Sequence, residues 1–580
     1  MSDAATEEIR ALIGRGELLA AADRCDAEIG DDPATAPLEL VWLAGLALAR
    51  CGATDRAERL LTAADATRRA TDAEPDLRDD LAGLQARLIK DRAMAATGAA
   101  RAELARAAAD AYAGDEAGTY RLVNEATMRL VAADHAEARH AAEQALALLA
   151  TAEDDYWTHA TRAEVSLLLG RLDDTAAALA AAAATGPDWS MRSSTLRQLR
   201  FVCAELGVDP ALLDALPLPT VAHYSGHMFA AGPEAGLAEQ IRAELVARGV
   251  GRVHGSLACG SDTVIVETAL DLGIDVHIVI PCPVPEFVDR SVRPGGHEWV
   301  ERFDRALAAA TDVVIEPTIA LEDEAMFAYA DQLAMGFALT HARRQDAEVF
   351  QLAAWDGLDT GGEAGTGAAV RRWRATGNET VVVELDRRRF EPVAASTHAP
   401  DDLGDRPRSV KALLFADVKG FSGLSERDLP DFFEEVMAGL ASVIDRYGDA
   451  VRYRNTWGDA VYLVVDTAGI AADLALEMQR ELRTIADRIS RPSLSARIGG
   501  HAGPVYVGHD HINDEPTFYG THVTRAARIE PRTPPGEVYV TQHFAALVSL
   551  ERVDDVRLEY VGHIPTAKDY GAFPMYVLRR

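Results

Sequence analysis

Residues 1 to about 214 set Ala and Leu among Arg and Glu with few β-branched positions, a pattern that predicts helix throughout. From about 218 to 390 the pattern changes. Short apolar runs, VGRVHGSLA, IDVHIVIP, TDVVIEP, AEVFQLAA and ETVVVEL, alternate with helical stretches and predict a parallel, doubly wound sheet. A polar stretch with Pro and Asp, EPVAASTHAPDDLGDRPRS, reads as a linker over residues 391–409. Residues 410–580 mix strands and helices again, now with hairpin signals. The expected order is an all-α region (1–214), an α/β domain (215–390), the linker, and an α+β domain (410–580).

Length agrees with several domains, since 580 residues exceed what one core serves, about 250–300. With 58 basic and 91 acidic residues the net charge is −33, which repels phosphate backbones and anionic lipid. Neither a nucleic-acid nor a membrane partner is therefore expected. The five cysteines, Cys25, Cys51, Cys203, Cys259 and Cys282, are scattered without a C-x-x-C pair. That excludes a disulfide scaffold and a cysteine zinc site of ordinary spacing, and suits a reducing compartment. The acidic start, MSDAATEEIR, lacks the features of a signal peptide, and no run of about 20 strongly apolar residues follows. A soluble cytoplasmic protein is the expectation.

The helical region repeats. Gly16, Ala21 and Pro33 recur in spacing at Gly170 and Pro187, with intermediate copies at Gly52–Ala57 and Ala133–Ala138. Separations of 36 and 37 residues between copies lie near the 34 of tetratricopeptide repeats, which the region resembles. The segments LQARLIKDRAM (84–94) and YRLVNEATMRL (120–130) also resemble the TRAF-binding region of stress-activated MAP kinase kinase kinases. That resemblance implies a protein partner on the helical repeats, against the plainer reading of a scaffold.

In the middle region, HYSGHM (223–228) and HGSLACGSD (254–262) put Gly and Ser at two successive junctions between strand and helix. Such junctions leave backbone N–H groups free and aim a helix N-terminus at a phosphate, although Asp262 in the first turn would repel one. The pattern resembles the Rossmann-like SLOG superfamily of nucleotide-sensing and nucleotide-processing domains. The resemblance implies a small nucleotide ligand at Ser225, Gly226, Gly255, Ser256, Gly260 and Glu267. Arg290, Ser291, Arg293 and Trp299 are placed to reach over it. The plainer reading is that the glycines only make tight turns.

The chemistry concentrates at the C-terminus. VKALLFADVKGFS (410–422) is an apolar strand ending at Asp417, and VRYRNTWGDAVYLVV (451–465) is a hairpin with Asp459 at its turn. Two carboxylates at one end of adjacent strands suit a pair of divalent cations holding a triphosphate. With FYGTHVTRAARIEP these segments resemble the catalytic domain of class III nucleotidyl cyclases, over about 170 residues. The resemblance implies a ferredoxin-like fold and a head-to-tail homodimer with shared active sites. It also implies attack of a ribose 3′-oxygen on the α-phosphorus of a nucleoside triphosphate. Asp417 and Asp459, with the Val418 carbonyl, match the ligands of two Mg²⁺ or Mn²⁺ ions. Arg528 matches the arginine that stabilises the transferring phosphoryl group, and Lys568 the lysine on the terminal phosphates. Lys419, Gly420, Phe421 and Ser422 match the phosphate-contacting backbone.

Departures from the family pattern bear on the base. The position that holds an adenine-reading lysine in adenylyl cyclases is Asn455, its partner is Thr517, and the catalytic asparagine aligns with Thr524. Asn455 and Thr517 can read a base by hydrogen bonds but do not fix adenine. ATP is the substrate by family frequency; UTP or CTP, as in cyclases of bacterial anti-phage signalling, is an alternative. A catalytically degenerate, nucleotide-responsive sensor is another. His509, Asp510, His511 and Asp514 read as an exposed hairpin loop rather than a metal site, and Trp457 as core or interface packing. The 391–409 linker is the expected route by which the upstream domains act on the cyclase.

Overall fold

Helix pairs account for the repeat. In the computed structural model, twelve α-helices lie between Asp3 and Leu206 among the described residues. Gly16 separates Asp3–Gly14 from Leu18–Ile29, and Gly52 separates Leu38–Arg50 from Thr54–Ala63. Ala133 separates Thr119–Val131 from His135–Leu149, and Gly170 separates Tyr156–Leu168 from Leu172–Ala184. All four take positive φ, 78°, 85°, 64° and 74° in that order, the left-handed turn that ends one helix before the next begins. Ala133 adopts it against a steric cost that the glycines do not carry. Ala21 and Ala57 are fully buried where the paired helices approach. The two segments of the TRAF-binding resemblance meet inside this unit: Lys90 Nζ donates to Asn124 Oδ1 and to Gln198 Oε1, each at 2.6 Å. Glu164 accepts from Thr127 and Gln198 in the same network. Lys90 of the first segment and Asn124 and Thr127 of the second thus satisfy a buried network.

The chain divides into two units, residues 1–218 with 344–346 and residues 219–343 with 347–580. The structure describes all residues except 1–2, 31, 115–116, 318–323, 394–407, 420, 422–424, 428, 489–493 and 552–554. Most of the expected linker therefore lies outside the described residues.

The second unit begins with a six-stranded parallel sheet: β1 (Thr220–Gly226), β2 (Val250–Gly255), β3 (Asp275–Ile280), β4 (Asp312–Ile315), β5 (Val349–Trp355) and β6 (Thr380–Glu384). Its order is β4-β3-β2-β1-β5-β6, so the direction of winding reverses between β1 and β5. The five apolar runs of the sequence supply β2 to β6. The first strand differs from expectation: Ser225 and Gly226 are its last two residues rather than a loop. β1 is central, paired with β2 as far as His223 and with β5 as far as Gly226, and the β5 ladder, Ser225 with Ala353 and Gly226 with Ala354, holds these two residues extended. Helix His297–Ala309 covers the sheet with Trp299, Phe303 and Ala306, spaced four and three apart on one buried stripe.

Eight strands follow: β7 (Arg408–Val418), β8 (Val451–Trp457), β9 (Ala460–Val465), β10 (Ala496–Asp510), β11 (Glu515–Tyr519), β12 (Val538–Thr541), β13 (Arg557–Pro565) and β14 (Ala572–Arg579). Helix Ala438–Asp445 joins β7 to β8, and helix Ala468–Arg488 joins β9 to β10. The resulting βαββαβ unit has the spatial order β10-β7-β9-β8 with antiparallel neighbours. This is the ferredoxin-like arrangement expected for the C-terminal domain, extended by β12, β13 and β14.

Three helices carry the later argument: α1 (Ala325–Gln345), α2 (Thr521–Ala527) and α3 (Gln542–Leu550). α1, from the α/β part, packs on α3. Met335, Leu339, Ala369 and Trp373 form one buried cluster with Leu550. Gly336 makes the approach possible, because a Cβ there would lie 2.2 Å from the Ala546 carbonyl oxygen. Thr340 donates to Ser549 Oγ at 2.9 Å. The α/β and α+β parts share a core.

Candidate active site

β7 and β9 bring two aspartates to one end of the sheet. Asp417 is opposite Ala460 in the register, and Gly458-Asp459 forms the β8–β9 turn, with Gly458 at φ 64°. The Val418 N–H donates to the Asp459 carbonyl at 3.3 Å, closing the strand end onto the turn. Burial, and then the charge of Asp459, raise the Asp417 carboxyl above its ordinary value. Holding two carboxylates together in a half-buried place fits a divalent cation, which would relieve their repulsion.

Two residues that sequence reasoning did not single out join them. Arg497 is opposite Asp417 on the other flanking strand, β10. Glu530 is pushed up to about 7 by burial and by the charge of Asp417, with Arg497 opposing and Asp459 adding. Its backbone sits against β10 where Gly499 leaves room; a Cβ on Gly499 would lie 2.4 Å from the Glu530 nitrogen. The sequence signal was only a glycine in a strand, which marks a close backbone approach without saying of what.

The segment after β7 departs from the expected phosphate cradle at one point. The Lys419 N–H donates to the Ser495 carbonyl at 2.8 Å, so that amide is engaged within the fold. The Phe421 ring packs on Phe432 at 5.0 Å. Gly420 and Ser422 lie outside the described residues.

Thr524 is exposed on α2, and Arg528 caps the helix. The Arg528 carbonyl accepts from Ala567 N–H at 3.1 Å, which brings the neighbouring Lys568 to the end of α2. Lys568 itself has φ 60°. Asn455 on β8 donates to the Tyr453 hydroxyl at 3.2 Å. The Tyr453 ring lies 6.2 Å from Phe518, the residue after Thr517, and Tyr462 reaches the Phe518 carbonyl. Asn455 and Thr517 therefore border one aromatic cluster, with Tyr453 as a member the sequence did not mark. Trp457 is 89% exposed, which rules out core packing within this chain. Ile512, at the β10–β11 turn, is 94% exposed. His509 pairs with Asp514 at 3.0 Å in that exposed turn, the hairpin loop expected there.

In the α/β part, Ser225, Gly226, Gly255 and Ser256 collect at the carboxyl ends of β1 and β2, and Gly260 caps helix Ser261–Asp271 with φ 91°. The ends of β1 and β5 are bridged by His227 and Asp356 at 3.0 Å. Ser261 Oγ and Asp262 Oδ1 are buried and have no hydrogen-bond partner among the described residues. Burial pushes Asp262 up to about 7. Glu267 is instead held by Arg302 at 2.6 and 3.0 Å, and the same guanidinium reaches Glu234. Trp299 does not reach over this place. It is buried, its indole N–H donates to the Ala230 carbonyl, and its ring packs edge-on against Phe229.

Among the described residues, no group of three or more His, Cys, Asp and Glu is arranged to hold a metal. No helix is long and apolar enough to cross a membrane among the described residues. All five cysteines are free and buried.

Residues 406–579 match the family described as the adenylate and guanylate cyclase catalytic domain. No curated protein matches the chain. Among solved structures, the chain is similar to the adenylyl cyclase CyaB from P. aeruginosa at 18% identity and a TM-score of 0.28, covering 30% of this chain and 97% of that one. The guanylate cyclase domain of RhGC from Catenaria anguillulae, in complex with GTP, matches at 20% identity and a TM-score of 0.26, covering 30% and 98%. An adenylate cyclase from Trypanosoma brucei, described in its monomeric state, matches at 21% identity and a TM-score of 0.25, covering 29% and 87%. The C-terminal segment, residues 406–579, is thus identified by its family match as an adenylate and guanylate cyclase catalytic domain.

Proposed function

We propose that the protein is a nucleotidyl cyclase that converts a nucleoside triphosphate to a 3′,5′-cyclic nucleotide and pyrophosphate. The observation that carries this reading is the pairing of Asp417 with Asp459 at one strand end, inside the segment that matches the family. Asp417, Asp459 and the Val418 carbonyl would hold Mg²⁺ or Mn²⁺, which would supply charge neutralisation for the polyphosphate and activation of the ribose 3′-hydroxyl. The chain's own residues do the rest by positioning and charge. Arg528 offers a fixed fork to the phosphoryl group on which charge develops, and Lys568 a point charge to the terminal phosphates. Thr524 holds the ribose through its hydroxyl.

Two copies share each site in this reading: one supplies Asp417 and Asp459, the other Asn455, Thr517, Thr524, Arg528 and Lys568. Support comes from the family resemblance and from apolar groups left at the surface beside these residues, Trp457 next to Asp459 and Ile512 on the β10–β11 arm. Asn455, Tyr453 and Thr517 would read the base. Their hydrogen bonds accept a purine or a pyrimidine, with ATP first by family frequency and UTP or CTP as the alternative. For the α/β part we propose a small nucleotide ligand at the β1–β5 reversal, supported by the unpartnered Ser261 hydroxyl and Asp262 carboxyl oxygen.

The test is incubation of the full chain with Mg²⁺ or Mn²⁺ and each of ATP, GTP, UTP and CTP, with products resolved by mass spectrometry. One cyclic nucleotide, absent with Asp459→Ala, establishes the reaction and its base. No cyclic product from any triphosphate refutes the reading in favour of a degenerate sensor.

A further inference from the structure

α2 is a helix of seven residues, two turns, which has no stability of its own and takes its orientation from tertiary contacts. It nevertheless carries Thr524 and leads into Arg528. Between them, Arg525 points inward and is 1% exposed. A buried guanidinium needs a counter-charge. Among the described residues, the carboxylate that pairs with Arg525 is Glu316, itself 1% exposed and 209 positions earlier in the chain. Arg525 Nη1 lies 3.4 Å from Glu316 Oε1 and 3.5 Å from Oε2.

Other groups close the pair in. His543 Nδ1 lies 3.1 Å from Glu316 Oε1 and 3.4 Å from Arg525 Nη1. The Tyr329 hydroxyl, on α1, donates to the Ala502 carbonyl at 2.6 Å and lies 3.2 Å from His543 Nδ1. The Arg525 guanidinium sits 4.9 Å over the Phe573 ring. On the same helix His522 meets His501 at 2.9 Å, and His501 meets Thr541 at 2.7 Å. Glu316 immediately follows β4 of the parallel sheet, outside the segment 406–579 that matches the cyclase family.

We propose that Glu316 is a positioning residue for cyclisation: through its ion pair with Arg525 it fixes the helix that presents Thr524 and Arg528. The inference rests on the cyclase reading of those two residues. Its consequence is that the cyclase segment lacks a carboxylate it needs for the geometry of its own site, and the α/β part supplies it. The α/β part is then a working piece of the catalytic unit, joined to it through a buried contact rather than only through residues 391–409.

The experiment uses the full chain, with kcat and KM measured by cyclic-nucleotide formation and folding followed by near-UV circular dichroism and Tm. Glu316→Asp keeps the charge but withdraws it by one methylene. Glu316→Gln with Arg525→Gln removes the pair without leaving a buried charge unpaired. Misplacement of the helix predicts a fall in kcat of about 3-fold for the first and at least about 10-fold for the double variant, with KM within about 2-fold. Near-UV signals should match wild type. A pair that serves stability alone predicts instead a double variant that is folded and has wild-type kcat, and that result overturns the proposal. Loss of signal only in proportion to an unfolded fraction overturns it as well. A wild-type chain that makes no cyclic product refutes the reading of the site itself, a different failure from variants that equal an active wild type.

Discussion

Asp417 and Asp459 stand at the same end of neighbouring antiparallel strands, and the Val418 N–H donates to the Asp459 carbonyl between them. The backbone thus holds two like charges together, and burial and repulsion raise the first of them. Groups arranged for stability would be kept apart. Asp417→Asn should therefore cut cyclic-nucleotide formation at least about 100-fold, the scale of losing one preorganised electrostatic partner. In metal-free buffer it should leave Tm equal to or above that of wild type, because a repulsion is removed. A fall in Tm would place the residue in the fold rather than in the site.

Glu530 gives a pH signature with a definite sign. Its carboxyl is raised to about 7, by burial first, so the folded state holds a proton that the unfolded state releases near the ordinary value of 4.5. The stability it contributes is complete below about 4.5 and is lost as pH rises through about 7. In metal-free buffer, Tm of wild type should fall relative to Glu530→Gln between pH 5 and pH 8. Parallel Tm curves for the two proteins would show that Glu530 does not titrate in that window.

Base choice should respond to the aromatic cluster at Asn455. Tyr453→Phe removes the hydroxyl that takes the Asn455 amide and frees that amide to turn. Relative kcat/KM among the four triphosphates should change by roughly 10-fold, the net worth of one hydrogen bond, with the turnover number of the preferred one little altered. Thr517→Ala should act on the same ratio. Unchanged ratios in both variants would remove this cluster from base recognition.

The histidines around α2 predict acid lability. Burial holds His501 and His522 well below the ordinary histidine range and lowers His543 to about 4. Each is neutral when folded and binds a proton near 6.5 when unfolded, so stability present above about 6.5 is lost as pH falls through that value towards 4. His522→Asn should flatten the decline of Tm between pH 6.5 and pH 4. An unchanged slope would assign the acid response to other groups.

Local pattern made much of this legible. Val- and Ile-rich runs located β2 to β6, and the Gly16 and Gly170 spacing marked turns between helices, because both signals come from neighbours in sequence. Asp417 and Asp459 are legible because the first lies at the end of an apolar strand and the second in a hairpin turn, both announced by their neighbours in sequence. Ser225 and Gly226 read as a loop, but pairing with Ala353 and Ala354 of β5 overrides their weak strand preference. Trp457 reads as core or interface packing, and its place on an outer strand beside the turn leaves it exposed, which removes the core alternative. Glu530, Arg497 and Tyr453 were missed for another reason. Arg497 and Glu530 meet Asp417 only through the fold, and Tyr453 meets Phe518 across strands, so nothing adjacent in sequence reports these contacts. Glu316 is the extreme case, since its partner Arg525 belongs to another part of the fold.

In the proposed dimer, Asp417 and Asp459 of one copy act with Arg528 and Lys568 of a second. Mixing full-length Asp417→Ala with full-length Arg528→Ala tests it most directly. Each variant alone should form no cyclic nucleotide. After exchange of subunits, half of the dimers carry one intact site of two, so the mixture should recover about a quarter of wild-type activity. A mixture as inactive as its components, with mixed dimers demonstrated by mass, would contradict the account.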